Sequence, residues 1–419
     1  MKYYRFPENR TARLLLGAFL FAMLYLARDT LVTSSVLGFH RAQLLMLGLM
    51  GAACGVFLIY NRRSLKDIVL DRRMLAVLVS TAVILLPMAV KRDWQMMYLS
   101  ILICVYFGIF LSYFLSCREA AKYYVGILSV LGVCSVVALW VLRPLVVDTG
   151  IWRPPVVWNQ IDIPFFDFGL SFVSVIYVKN RNFGIFREPG VYQYFLVLAL
   201  FLNNFIVQWR RQRTLWLNNL ALAAAILTTL STAGVAALVL LALVVFVEKK
   251  LYRNKWVWLA LLVIALVLAV LVGIIVAQRG ELYWELYSMV LGKFLPGEDS
   301  SSERLEAVLA DLSIFLRHPL VGDRLSGVLY AAENNTTSTL ILFAGLGILG
   351  GSLNAAAWIA LIWDRQRRLW ANLVLLAALF LSFNTQNLVA DVFFWLFPVM
   401  ALTERVLPRL KAPGAAGGK

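Results

Sequence analysis

Arg187-Glu188-Pro189-Gly190 and a second run around Arg304, Arg317, His318 and Arg324 are the residues here whose types and spacing could do chemistry. They belong to two polar segments, 177–193 and 297–335, in a chain that is otherwise almost continuously apolar. Guanidinium groups gathered at a membrane surface suit capture of a phosphate-bearing, lipid-linked molecule, because their planar fork matches phosphate oxygens. Pro189 fits the first turn of a helix, where its missing N–H would be unpaired anyway. A helix starting there turns free N–H groups and partial positive charge toward the surface beside Arg187, which makes an anion site. The same residues also fit plain anchoring, with Arg187 snorkelling and Glu188 as a first-turn acid. Both readings are open at this point.

The second segment predicts its own local structure. Ser300-Ser301-Ser302-Glu303 has the spacing of a capping box. Leu305, Val308, Leu309, Leu312, Phe315 and Leu316 then mark one apolar helical face, and Pro319 ends the run. An amphipathic helix over 301–318, lying on or capping the membrane part, is expected. Arg304 falls in its first turn, where the helix dipole disfavours a cation. Arg317 and His318 fall in its last turn, where cations are favoured. His318 reads either as a dipole-matched surface histidine or as a base whose partner the sequence does not display. Gly322-Asp323-Arg324 forms a turn, and Glu333-Asn334-Asn335 leads into the next apolar run.

The elements that must position these residues are membrane spans. The chain has 419 residues and is 61% hydrophobic, against about 45–50% apolar for a soluble domain. Its mean hydropathy is +0.79. Runs long enough to cross a bilayer predict twelve spans at 12–27, 42–60, 74–90, 96–116, 123–142, 189–207, 214–230, 233–247, 256–276, 337–362, 369–384 and 387–402. The pair 214–230 and 233–247 is short, and one broken element is its alternative. Most of the 39 Lys and Arg residues fall on one set of tails and loops, whereas the short loops of the other set carry only Arg28, Arg41, Lys91 and Arg92. The positive-inside rule therefore places both termini in the cytoplasm and both polar segments outside.

The net charge of +16 follows mostly from that bias, and no basic folded module suggests nucleic-acid binding. The cysteines Cys54, Cys104, Cys117 and Cys134 form neither a disulfide framework nor a zinc pattern. No cleavable leader, inverted repeat or Gly-Lys-Ser phosphate loop is expected. The first outer segment, 143–188, is rich in Pro and aromatic residues and should lie along the interface; within it 168–178 fits a short strand or an interfacial helix. Polar residues inside spans are costly and often functional. Here they are Asn203, Asn204, Asn354 and the cluster Asn384, Gln386, Asn387 and Asp391, with Asp391 the clearest acid within a span. Gly345, Gly347, Gly350 and Gly351 are expected to allow close helix packing.

The expected fold is thus all-α: a polytopic integral membrane protein of about 12 transmembrane helices, with a large extracytoplasmic loop containing an amphipathic helix. Its expected divisions are an N-terminal transmembrane bundle (1–142), an extracytoplasmic loop (143–188), central transmembrane helices (189–276), the large extracytoplasmic loop (277–336), C-terminal transmembrane helices (337–404) and a cytoplasmic tail (405–419).

Three stretches resemble the O-antigen polymerase and ligase superfamily, the Wzy-type polymerases and WaaL-type ligases, over roughly 180–360. Phe186-Arg187-Glu188-Pro189-Gly190-Val191-Tyr192-Gln193 resembles the Arg-Glu-Pro-Gly opening of a span. Leu230-Ser231-Thr232-Ala233-Gly234 is similar to the Leu-Ser-x-x-Gly start of a middle span. Ser301-Ser302-x-Arg304, His318-Pro319-Leu320-Val321-Gly322, Asn334-Asn335 and Gly345-x-Gly347 follow the order of the long outer loop and the next helix. The departures are Asn334 where ligases have a His, and Thr232-Ala233 where they tend to have an Arg; both weaken the ligase reading.

The resemblance implies an inverting, metal-independent glycosyl transfer at the outer face of a bacterial plasma membrane, with no cofactor. The donor is a glycan on undecaprenyl diphosphate, and the acceptor is another lipid-linked repeat unit. It implies diphosphate binding by Arg187 and Arg304, with Arg324 and Arg181 behind them. A base comes from Glu188, Glu333 or His318. Tyr192, Gln193, Asn334, Asn335 and Asp391 are the glycan and acceptor candidates. Membrane lipids are partners, with a chain-length regulator and a flippase as accessory ones. A ligase moving finished polymer and a lipid-linked sugar transporter are the alternatives; charged residues along a central path would favour the transporter.

Overall fold

The computed structural model describes residues 10–61, 73–158, 163–175, 180–259, 299–331 and 335–406, with isolated positions between 260 and 280. Each long apolar run in that range is helical. The helices are α1 (Arg10–Tyr25), α2 (Phe39–Asn61), α3 (Arg73–Val90), α4 (Met96–Leu111), α5 (Cys117–Val137), α6 (Pro189–Phe205), α7 (Gln212–Thr228), α8 (Thr232–Glu248), α9 (Asp299–Arg317), α10 (Leu325–Leu329), α11 (Ser338–Ile362), α12 (Leu369–Phe383) and α13 (Val392–Val406). Three are long and apolar enough to cross a membrane: Arg73–Val90, Cys117–Val147, which counts the π-helical continuation of α5, and Ser338–Ile362. Arg13–Tyr25, Met96–Leu111, Thr232–Glu248 and Leu369–Phe383 are shorter apolar helices. The expected span 256–276 lies largely outside the described residues. α7 and α8 are two 17-residue helices on either side of a turn at Thr229–Ser231.

α6 and α13 make the axis of the bundle. Both are buried along almost their whole length, as expected for helices apolar on every face. They lock together where the Tyr194 hydroxyl donates to the Phe393 carbonyl at 3.3 Å and the Phe195 ring meets Phe393 edge-on. α5, α7 and α8 pack around α6, whereas α4 and α11 pack around α13. Between apolar helices in lipid, this interlocking gains dispersion contacts more than release from water.

The loops sort into two groups. At one end, residues 27–31 bridge to 185–187, Asn182 reaches Thr228, and Thr337 pairs with Gln386. At the other, the Cys117 N–H donates to Glu404, Arg118 donates to Gln208, and Arg367 pairs with Glu248. The loops that the charge pattern assigns to one side therefore meet each other.

Three elements depart from the sequence expectation. The segment after α5 is not purely interfacial chain. It holds an antiparallel sheet in the order β1 (Val156–Trp158), β2 (Pro164–Asp167), β3 (Phe172–Ser174); of the two readings of 168–178 the strand is the one found, at 172–174, and the described fold is all-α apart from this sheet. α13 starts at Val392, leaving Asp391 in the turn before the helix rather than within it. α11 is broken at Gly347, whose φ of 66° lies in the left-handed region. Gly347 serves that break, while Gly345 allows the close approach of α10 that the sequence leads one to expect. A Cβ on Gly347 would lie 2.3 Å from the Leu320 carbonyl oxygen, and one on Gly345 2.6 Å from Leu325. Gly350 and Gly351 are crowded instead by Leu346 and Phe343 of the same helix.

Candidate functional site

Arg187 is set in place by the backbone before it. The Asn182 side chain accepts from the Gly184 N–H at 3.0 Å, turning the chain. Gly184 has a φ of 55°, and a Cβ there would strike the Tyr192 ring at 2.6 Å. The turn drives Phe186 into the core, stacked on Tyr192 and packed against Phe195. The Leu31 N–H then donates to the Ile185 carbonyl, and the Arg187 N–H donates to the Asp29 carbonyl at 3.0 Å. Arg187 therefore projects from a fixed backbone, two residues before Pro189 opens α6.

The side chain pairs with the same residue. Arg187 Nε lies 3.0 Å from Asp29 Oδ1; the Arg187 side chain is 41% exposed and that of Asp29 only 5%. The Asp29 carboxylate, followed by Glu188, holds the guanidinium even more firmly protonated than usual, against the opposing effect of burial. Glu188 Oε1 lies 3.8 Å from Arg187 Nη2 and is about equally exposed. Glu188 is the residue before α6 and its side chain does not cap the helix. Asp29 Oδ2 is buried with no hydrogen-bond partner.

Asp391 lies within electrostatic reach of Asp29 and Arg28. It is fully buried. Its Oδ1 accepts from the Phe393 N–H at 2.8 Å and so caps α13, while its Oδ2 has no partner. Arg28 lies over the Phe39 ring and against Met97. Sequence reasoning missed Asp29, and it treated Arg28 only as a loop charge. The one available signal was an acid beside a base in a short outer loop.

A second polar cluster forms where α9 ends. His318 Nδ1 is 3.4 Å from Lys91 Nζ, its Nε2 is 3.8 Å from Asp323 Oδ2, and Lys91 also lies 3.5 Å from Asp323. The partner that His318 lacked in the sequence is thus present. Burial raises the Asp323 carboxyl, but the Arg324 backbone N–H, Lys91 and His318 outweigh it and hold it below its ordinary range. The 318–324 turn plugs the break in α11: the Ile348 N–H donates to the Pro319 carbonyl at 2.7 Å, and the Asp323 N–H donates to the Ala344 carbonyl at 2.8 Å. Backbone groups freed by the break are satisfied in this way. Asp93 holds the far side of the turn, accepting from Ser326 and from Tyr98.

α9 docks by an unexpected face. Ala307 and Asp311 are buried, while Leu305, Leu309, Leu312 and Leu316 of the expected core face are exposed. Asp311 accepts from the Asn335 amide at 2.8 Å and from the Thr337 hydroxyl. Asn335 also donates to the Val328 carbonyl and accepts from Thr337. A small residue and a hydrogen-bonded acid let α9 approach α11 closely. The widest apolar arc therefore did not decide the docking. Burial pushes the Asp311 carboxyl up to about 6, against the lowering effect of its two hydrogen bonds. The helix starts at Asp299, so Ser300–Ser302 lie inside it and not at its cap.

The remaining candidates divide clearly. Tyr192 is buried with its hydroxyl on Ser135 at 3.0 Å, and Gln193 is buried on Ser382 and Thr385. Both are engaged within the bundle. Arg181 donates to the Thr229 carbonyl beside Ser231, which caps α8. Arg304 and Arg324 are exposed and make no ion pair among the described residues. Glu333 and Asn334 lie outside the described residues. The structure brings Arg187 together with Glu188 and Asp29, with Asp391 within electrostatic reach of Asp29, and it brings His318 together with Lys91 and Asp323. Among the described residues no contact joins the two groups. No three His, Cys, Asp or Glu side chains gather as a metal site would need among the described residues. No protein-family model, curated protein or solved structure matches the chain.

Proposed function

We propose that the protein is a membrane glycosyltransferase that polymerises undecaprenyl-diphosphate-linked repeat units into surface polysaccharide, working at the outer face of a bacterial plasma membrane. In this reading the chain has twelve spans with both termini in the cytoplasm. One observation carries it: a half-exposed guanidinium, Arg187, is clamped by a buried carboxylate beside the N-terminus of a buried helix. A donor there meets a fixed positive charge, free N–H groups and an open carboxylate, Glu188.

The chemistry follows from those parts. The acceptor hydroxyl attacks the anomeric carbon from the face opposite the diphosphate. The carbon–oxygen bond to the diphosphate breaks, and undecaprenyl diphosphate leaves with the electron pair. Arg187 stabilises the charge that develops on the leaving oxygens, with Arg304 from α9 as the second guanidinium. Glu188 takes the hydroxyl proton. Asp29 pairs with Arg187 on its Nε side, which leaves Nη1 for phosphate, while Nη2 faces Glu188 at 3.8 Å.

The glycans of cells lacking the protein test this reading, with lipid-linked intermediates extracted alongside. Loss of surface polymer with single repeat units accumulating on the lipid is the expected result. Long polymer remaining on the lipid would mean a ligase. Intermediates held on the cytoplasmic leaflet would mean a transporter and would remove the catalytic roles.

A further inference from the structure

We infer that α9 is an interfacial helix whose leucine arc is immersed in the bilayer beside the bundle, at the boundary of headgroups and acyl chains. The inference rests on the membrane reading and not on the polymerase one. Leu305, Leu309, Leu312 and Leu316 are spaced by four, three and four residues, so they lie on one stripe, and they are 59%, 55%, 41% and 68% exposed. Leu320, also exposed, extends the stripe past the helix end. The half-buried Val308 and Phe315 widen it toward the bundle.

The other faces of α9 are already assigned. Ala307 and Asp311 face α11 through the Asn335 and Thr337 bonds, and Phe315 meets the Phe343 ring edge-on. Glu306 and Arg317 are exposed on a third side. A helix with one face on protein, one polar and charged, and one of bare leucine fits the corner where bundle, water and lipid meet.

The level of the helix points to the same occupant. α9 is tied to the first residues of α11, the start of a helix long enough to span. The loop whose Lys91 and Asp93 grip the following turn carries Trp94, which is 72% exposed, and α10 ends at Tyr330, 87% exposed. Exposed Trp and Tyr at one end of a membrane bundle mark the interfacial zone. A second copy is the rival occupant, because the same spacing is that of a coiled-coil seam. The stripe runs for only two heptads, short of the three or four that such pairing needs, and its widened arc suits a lipid surface better than a narrow seam.

The test uses the full-length protein in nanodiscs of phosphatidylethanolamine and phosphatidylglycerol, one copy per disc. An environment-sensitive fluorophore is placed at Leu309→Cys, Leu316→Cys, Glu306→Cys and Arg317→Cys, and the unsubstituted chain, with its four native cysteines, is labelled as background. The expected result is blue-shifted emission at 309 and 316. A nitroxide near the headgroup end of the acyl chain should quench these sites at least about twofold more than 306 and 317. Equal quenching at all four positions by a water-soluble agent would overturn the inference. A blue shift without lipid quenching would mean protein covers the stripe and would also overturn it. A blue shift appearing only with two copies per disc would replace lipid with a dimer seam.

Discussion

The Arg187 corner and the α9 corner are built by opposite means. At the first, a charged side chain is fixed by another side chain: Asp29, buried and drawn from a loop far away in sequence, holds the guanidinium at 3.0 Å. At the second, backbone geometry does the fixing. Gly347 breaks α11, the 318–324 turn fills the break, and Arg324 at the end of that turn is left exposed. A side-chain clamp gives a preorganised charge. A backbone plug gives a rigid platform whose charges stay exposed.

The α9 corner is most sensitive at Gly347. Gly347→Ala forces a Cβ to 2.3 Å from the Leu320 oxygen at a positive φ. It should cost about 3 kcal/mol or more, seen as a lower unfolding temperature in detergent. A variant of unchanged stability would mean the plug is not what holds this corner. The matching change at the other corner is smaller. Asp29→Asn keeps the shape but removes the opposite charge, and it should cost about 1–3 kcal/mol and lower polymer yield about tenfold. Unchanged polymer would separate Asp29 from the chemistry.

Asp311 sharpens the comparison through pH. Its carboxyl is protonated in both folded and unfolded chain below 3.8 and ionised in both above about 6. Because the folded value is the higher one, folding opposes ionisation, and stability falls as pH rises between those limits. The loss is at most about 3 kcal/mol. Asp311→Asn should flatten this pH dependence of thermal unfolding, and a slope that survives the substitution would assign it to another group. The smallest effect is expected at His318. His318→Ala leaves the exposed Lys91–Asp323 pair intact and should change stability by about 0.5 kcal/mol or less, with polymer still made. Complete loss of polymer in that variant would move the proton acceptor from Glu188 to the α9 corner.

Much of this was legible in the sequence where the signal is local. Apolar runs mark the helices, and three of them among the described residues are long and apolar enough to cross a bilayer. Pro189 marks the start of α6 because a ring without an N–H fits nowhere else in a helix so well. What was illegible is tertiary. Nothing beside Arg187 announces Asp29. Nothing in Gly345-x-Gly347 separates a packing glycine from one at positive φ. On α9 the leucines suggest the buried face, yet Ala307 and Asp311 dock because their partners, Asn335 and Thr337, arrive from the next segment. Asp391 was noticed as a costly acid, but its place as the cap of α13 depends on a turn that an apolar run conceals.

The most direct measurement of the central claim is the glycan size distribution, with lipid-linked intermediates, in cells whose chain carries Arg187→Lys. Lysine keeps the charge but cannot offer the planar fork to both Asp29 and a diphosphate. The variant should insert normally, polymer should disappear and single repeat units should accumulate on the lipid. Polymer of normal length and yield from a normally inserted Arg187→Lys chain would contradict the claim.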